Sequence, residues 1–222
     1  MVPRPRRQEH RPDHFHSALL AAAASIDRPL SVGEAGALTT HFRLLGEWSR
    51  RMNLTGLKDQ ESILRRHFLE PIAAADLLEN GGRLIDLGSG NGFPAIPLKV
   101  LRPNLDLILV ESSEKKSAFL WAVLREIGLR GSRVLTRRVD SAADLSDLLP
   151  CRYLTFRAVR GQDLLRGEAG PVLEPGGKAL LFLSDSDAEA LGETPIPGLR
   201  RTETRPLPSG PRSVVVVLEP VM

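Results

Sequence analysis

The spacing of apolar residues changes near Gly81-Gly82. Before that pair they recur every three or four positions, as they do along one face of an α-helix. The pattern predicts a first helix over Phe15–Ala24. A second opens at Ser31-Val32-Gly33-Glu34, which has capping-box spacing, and carries Leu38, Phe42, Leu45 and Trp48 on one side. Asp59 caps a third, whose buried face is Ile63, Leu64, Phe68 and Ile72. Pro71 has no amide hydrogen, so this helix should kink or restart there. Residues 15–80 therefore read as a helical extension, preceded by a disordered basic tail over residues 1–14.

After Gly82 the apolar runs shorten and become β-rich: Arg83–Leu87, Leu105–Val110, Arg133–Arg137, Tyr153–Arg157 and Ala179–Leu183. Helical patterns lie between most of them, over Phe93–Leu101, Lys115–Ile127 and Gln162–Leu173. Strands alternating with helices specify an α/β fold, a mostly parallel sheet with helices on both faces, here over residues 81–222. Arg201–Arg205 and Ser213–Leu218, joined by a Pro/Gly-rich link, read as a hairpin-like end to that sheet.

The Arg83–Leu87 strand runs into Gly88-Ser89-Gly90-Asn91-Gly92, and a helix opens at Phe93-Pro94. Glycines let the backbone turn with positive φ and let a ligand approach without a Cβ in the way. Alone, Gly-x-Gly-x-Gly is weak evidence, because many turns share it. Two acids sharpen it. Asp86 precedes the glycines, placed to meet an amino group, and Glu111 closes the second strand, 23 residues after Gly88, where ribose recognition needs a carboxylate. A dinucleotide site keeps a third glycine three positions after the second and aims a helix end at pyrophosphate. That glycine is missing here, so Gly88, Gly90, Asp86 and Glu111 favour S-adenosylmethionine and a Rossmann-like class I methyltransferase fold. A dinucleotide site and a purely structural turn are the alternatives.

At 222 residues the chain is long enough for one α/β domain with an appendage. Its apolar runs are too short to span a bilayer, which excludes a membrane-spanning helix. One cysteine, Cys151, excludes an internal disulfide framework and suits a reducing, cytoplasmic compartment. Lysine and arginine total 30 against 27 acids, and the tail's surplus of arginine accounts for the difference. Any affinity for nucleic acid must therefore come from charges segregated on the surface. Candidates are Arg50-Arg51, Arg65-Arg66, Arg137-Arg138, Arg200-Arg201, Arg205 and Arg212, with Phe93 and Trp48 as stacking candidates. His10, His14 and His16 have a spacing that could bind metal, but they lie in a floppy Arg/Pro tail and are not nominated as a metal site. Cys151 has no base beside it and reads as a small buried residue.

Trp48-Ser-Arg-Arg-Met-Asn-Leu-Thr55, Arg66-His67-Phe68-Leu69 and Ile85 through Leu98 resemble the RsmG (GidB) methyltransferases. Lys115 through Leu120 and Phe156-Arg157-Ala158-Val159 continue the match in order, which runs from about Leu44 to Leu183. The resemblance implies methyl transfer from S-adenosylmethionine to N7 of a guanine in small-subunit (16S) ribosomal RNA, by a monomer acting on that RNA or on the small ribosomal subunit. It implies that Gly88 and Phe93 line the methionine end of the cofactor site, that Val139 and Asp140 meet adenine, and that Arg157 lies beside cofactor and substrate. His67 is a substrate-positioning candidate.

The chain departs from the family pattern at three places. His-x-x-Asp-Ser is here His67-Phe68-Leu69-Glu70-Pro71, Lys-Gly after the fifth strand is Leu183-Ser184, and the last strand ends Val217-Leu218-Glu219 without a basic residue. Two alternatives stay open: a methyltransferase of another substrate class, and a non-catalytic RNA-binding homologue. Guanine N7 carries an in-plane lone pair and no proton, so its methylation needs orientation rather than a general base. The lack of a nucleophile–base pair is therefore no argument against an enzyme.

Overall fold

The computed structural model describes residues 12–57, 59–157, 172–193 and 196–221. Helix α1 spans Pro12–Ala24 and buries Phe15, Leu19 and Ala23, so it begins inside the stretch expected to be a tail. Helix α2 spans Val32–Ser49, and both halves of the Ser31/Glu34 capping box form. The Asp59 carboxylate accepts from the Ser62 amide at 2.8 Å and opens α3, Gln60–Ile63.

The expected disturbance at Pro71 takes a particular form. Leu64–Leu69 is π-helical, and the Glu70 amide bonds back five residues to the Arg65 carbonyl. Helix α4, Glu70–Ala74, then restarts with Pro71 in its first turn, where no amide hydrogen is needed. A 3₁₀ turn, Ala75–Leu77, ends the segment.

Seven strands follow: β1 (Arg83–Leu87), β2 (Asp106–Glu111), β3 (Ser132–Thr136), β4 (Cys151–Arg157), β5 (Leu173–Ser184), β6 (Leu199–Pro206) and β7 (Ser213–Pro220). Helices α5 (Ala95–Leu101) and α6 (Glu114–Ile127) connect the first three. The sheet order is β3-β2-β1-β4-β5-β7-β6; β1 through β5 pair in parallel, and β7 runs antiparallel between β5 and β6. The late hairpin expected from sequence is the β6–β7 pair. The helix expected over Gln162–Leu173 lies mostly outside the described residues, and Leu173 opens β5 instead. Helix α7, Asp185–Glu193, was not expected, because its sequence carries one large apolar residue, Leu191. Among its residues of described burial, Ala188 and Leu191, three apart, are the buried ones.

Period-two alternation divides the strands between two cores. Leu84, Leu107, Leu109, Tyr153, Leu180, Val215 and Val217 face a large cluster shared with Phe15, Leu38, Phe42, Phe68, Leu98 and Phe119. The N-terminal helices thus complete one face of the sheet. Ile85, Ile108, Leu154, Leu181 and Val216 face the other, covered by Leu145, Leu148 and α7. Among the described residues, no helix is long and apolar enough to cross a membrane.

Candidate active site

The strand order reverses between β1 and β4, the point at which open α/β sheets leave a crevice beyond their strand ends. Three elements meet there: the glycine turn after β1, the end of β2, and the end of β4.

The glycine turn is held by the acid on β2. The Gly90 amide donates to Glu111 Oε2 at 2.8 Å, and the Ser113 amide donates to Oε1 at 2.8 Å. Gly88, Gly90 and Gly92 have φ of +67°, +52° and +83°, which side chains strongly disfavour. Their surroundings differ. A Cβ on Gly88 meets nothing within 4 Å, whereas one on Gly92 lies 2.5 Å from Ile96 Cδ1. Gly88 therefore borders open space, and Gly92 is closed by α5.

Asp86 sits beneath the turn, 1% exposed. Thr155, its register partner on β4, donates to Oδ1 at 2.7 Å, while Oδ2 is buried without a partner. Burial pushes the carboxyl up to about 6, partly offset by the Thr155 hydroxyl.

Two residues past Thr155, Arg157 leaves the end of β4 and reaches Glu70 at 2.8 Å. Glu70 is fully buried and also accepts from the hydroxyls of Ser209 and Ser213. The Glu70 that departs from the family pattern thus ties α4 to β4 and to the β6–β7 turn. Arg157 Nε and Nη2 are buried with no partner. Burial pulls the guanidinium downward, and Glu70 opposes this.

Beside Arg157 lies an aromatic stack. The Phe93 ring is sandwiched between His41 and His67, with centroids 4.3 and 4.6 Å away and planes within 10°. His67 Nε2 meets the Thr55 hydroxyl at 2.9 Å and the Asn91 amide nitrogen at 3.4 Å. An amide nitrogen only donates, so Nε2 carries the lone pair and Nδ1 the proton. That Nδ1–H is buried without a partner. Burial first, then Arg157, lowers His67 to about 3; burial lowers His41 to about 4. Both rings are neutral.

The residues expected at the site fall into two groups. Gly88, Gly90, Asp86 and Glu111 come together at the glycine turn, and Arg157 is electrostatically coupled to both Asp86 and His67. Phe93 is 3% exposed with both faces covered, which corrects its nomination as a base-stacking ring: it shapes the loop from within. Val139 packs on the second core at its edge, and the Asp140 carboxylate accepts from Arg138 at 2.9 Å on the surface. Thr55, Asn91, Thr155, Ser209 and Ser213 were not singled out from sequence. The Asn-Leu-Thr segment was the one signal that pointed at Thr55. His14 and His16 bond Gln60 and Thr39, and His10 lies outside the described residues. Cys151 is fully buried, its thiol pushed up to about 12 by burial.

A family model described as "GidB: rRNA small subunit methyltransferase G" matches residues 35–196. The chain belongs to that family. It is 33% identical over 187 residues to the ribosomal RNA small subunit methyltransferase G of Streptococcus pneumoniae, covering 82% of this chain and 77% of that one. It is 34% identical over 189 residues to the protein of the same name from Xanthomonas campestris, covering 82% and 86%. The fold resembles a solved "SAM dependent methyltransferase" from Aquifex aeolicus, with TM-score 0.53, 15% identity, and 72% and 93% of the two chains covered. The family match takes in every crevice residue named above from His67 to Arg157. Ser209 and Ser213 lie beyond it.

Proposed function

We propose that this chain transfers the methyl group of S-adenosylmethionine to N7 of a guanine in small-subunit ribosomal RNA. The observation that carries the reading is the character of the crevice: a glycine turn open at Gly88 and flanked by two buried carboxylates, Asp86 and Glu111. Two acids there repel a pyrophosphate and suit a ligand with an ammonium, a sulfonium and a ribose diol. The unpartnered Asp86 Oδ2 fits the ammonium. Glu111 is fixed by Gly90, Ser112 and Ser113, yet Oε2, which accepts one of these bonds, retains a lone pair for a ribose hydroxyl.

When bound, the cofactor supplies an electrophilic methyl group. The chain's own residues then have one task, which is to line up the guanine. Its Hoogsteen edge presents two acceptors, N7 and O6. The unpartnered donors Arg157 Nε and Nη2 and His67 Nδ1 suit O6, leaving N7 free to attack. A cationic Arg157 does not compete for the N7 lone pair when held against Glu70, and no base is required. Val139 and Asp140 are proposed for the adenine edge, with their backbone rather than the Asp140 carboxylate, which Arg138 occupies. The protein is proposed to act as a monomer in the cytoplasm, where its substrate is assembled.

The deciding experiment is transfer of labelled methyl to intact small subunits and to naked ribosomal RNA, followed by mapping. One labelled guanine is expected, with transfer abolished in Gly88→Asp and sharply reduced in Arg157→Ala. Label on protein, or spread over unrelated RNAs, overturns the substrate assignment. No binding of the cofactor at high micromolar concentration overturns the enzyme itself.

A further inference from the structure

The arginine pairs nominated for RNA differ once their partners are known. Arg65 bonds Glu61, Arg137 bonds Asp147, Arg138 bonds Asp140, and Arg205 bonds Asp76 and Glu203. Arg201 donates to the Ala188 carbonyl. Arg50, Arg51, Arg66, Arg200 and Arg212 are all exposed, and among the described residues their guanidinium groups have no ion pair or hydrogen bond; of these, Arg50 and Arg51 alone line a cleft together.

These two arginines border a cleft of about 500 Å³ between the end of α2 and the start of α6, with Trp48, Met52, Lys115 and Ala118 in its wall. That volume lies in the range of pockets that take small ligands, about 300–1,000 Å³. Lys115 is exposed and unpaired as well. The one acid at the rim, Glu47, is bound by Arg43 at 2.7 Å. Three uncommitted cations therefore line one cleft whose one lining acid is already engaged. Trp48 forms part of its floor, packed edge-on against Phe119 with centroids 5.8 Å apart. Lys115 stands four residues beyond Glu111, so the cleft is adjacent to the crevice, on the side of β2.

We infer that this cleft is a docking subsite for the sugar–phosphate backbone of the RNA strand next to the target guanine, with Arg50, Arg51 and Lys115 as phosphate ligands. The inference rests on the proposed RNA methylation and adds to it where the strand is held. Arginine and lysine left unpaired around a concave surface are the pattern that phosphate contacts require, and such contacts fix register rather than read sequence. The crevice orients one base, and the cleft holds the strand that carries it.

The test measures methyl transfer to ribosomal RNA as a function of RNA and potassium chloride concentration. Wild type is compared with Arg50→Gln/Arg51→Gln, with Lys115→Gln, and with Arg65→Gln as a control at a cation already paired. The double variant is expected to raise KM for RNA by about tenfold and to flatten the slope of log KM against log salt by about 1.4–1.8. Its kcat and its affinity for the cofactor should stay within about twofold, and Arg65→Gln should change nothing. Trp121→Phe leaves Trp48 as the single tryptophan, and its emission should change when a single-stranded RNA is added. A fully active enzyme whose KM and salt slope are unmoved by the double variant overturns the subsite and leaves the reaction standing. A wild-type protein that methylates no RNA overturns the reaction instead.

Discussion

Glu70 and Arg157 are 87 residues apart and form an ion pair of 2.8 Å, with side chains 1% and 17% exposed. Removing one member of a buried pair leaves an uncompensated charge, which costs about 3–5 kcal/mol. Glu70→Ala should therefore lower the unfolding free energy by that amount in urea titration. Glu70→Gln, which still accepts from Ser209 and Ser213, should cost less. In both, kcat should fall more than cofactor affinity, since Arg157 loses its anchor while the glycine turn is untouched. A Glu70→Ala protein as stable as wild type would show that the pair contributes nothing.

Gly88 and Gly92 share a loop and a positive φ but should respond differently to alanine. Gly92→Ala forces a Cβ to 2.5 Å from Ile96, inside the core, and should destabilise by several kcal/mol. Gly88→Ala carries only the backbone penalty of about 1–2 kcal/mol, because its Cβ enters open space. That space is the proposed cofactor site, so cofactor affinity should drop there by more than tenfold. Melting curves and calorimetry separate the two effects.

Buried titratable groups fix the acid side of the stability profile. His41 at about 4 and His67 at about 3 lie below the unfolded 6.5, so their contribution is whole above 6.5 and is lost as pH falls toward those values. Asp86 at about 6 lies above its unfolded 3.8, so its contribution is whole below 3.8 and is lost as pH rises through 6. Near pH 5 the unfolded chain binds two histidine protons while the folded chain binds one, on Asp86. These groups make stability fall with acid by about 1.4 kcal/mol per pH unit, and Asp86→Asn should raise that slope to about 2.7. Urea titrations between pH 4.5 and 6 measure it. A slope unchanged by Asp86→Asn would mean the carboxyl is already ionised there.

Cys151 is fully buried with its thiol raised to about 12. The native protein should not react with a thiol reagent at pH 8, and methyl transfer should survive the treatment. Labelling is expected only once denaturant separates β4 from its neighbours β1 and β5. Rapid labelling of the folded protein would contradict this burial.

Local signals were legible because they act over a few residues. The Ser31/Glu34 capping box, the Asp59 cap, the short β-rich runs alternating with helices and the Gly88–Gly92 turn with its distant Glu111 were all readable. Each follows from backbone stereochemistry or from a fixed offset along the chain. The helix α7 was missed because its buried face comprises two residues, and Ser184, a departure from the family pattern, bonds Asp187 in its first turn.

The sequence by itself determined a parallel α/β sheet, a glycine turn joined to an acid, and membership in a methyltransferase family. Only the tertiary structure decided which residues those parts would serve. Arg157 pairs with Glu70, Phe93 is enclosed between two histidines, and Arg50 and Arg51 remain unpaired beside a cleft while Arg137 and Arg138 each find an acid. The physical reason is range. Capping and strand alternation depend on neighbours along the chain, whereas burial and charge pairing depend on neighbours in space, which the chain supplies from segments as much as 143 residues apart.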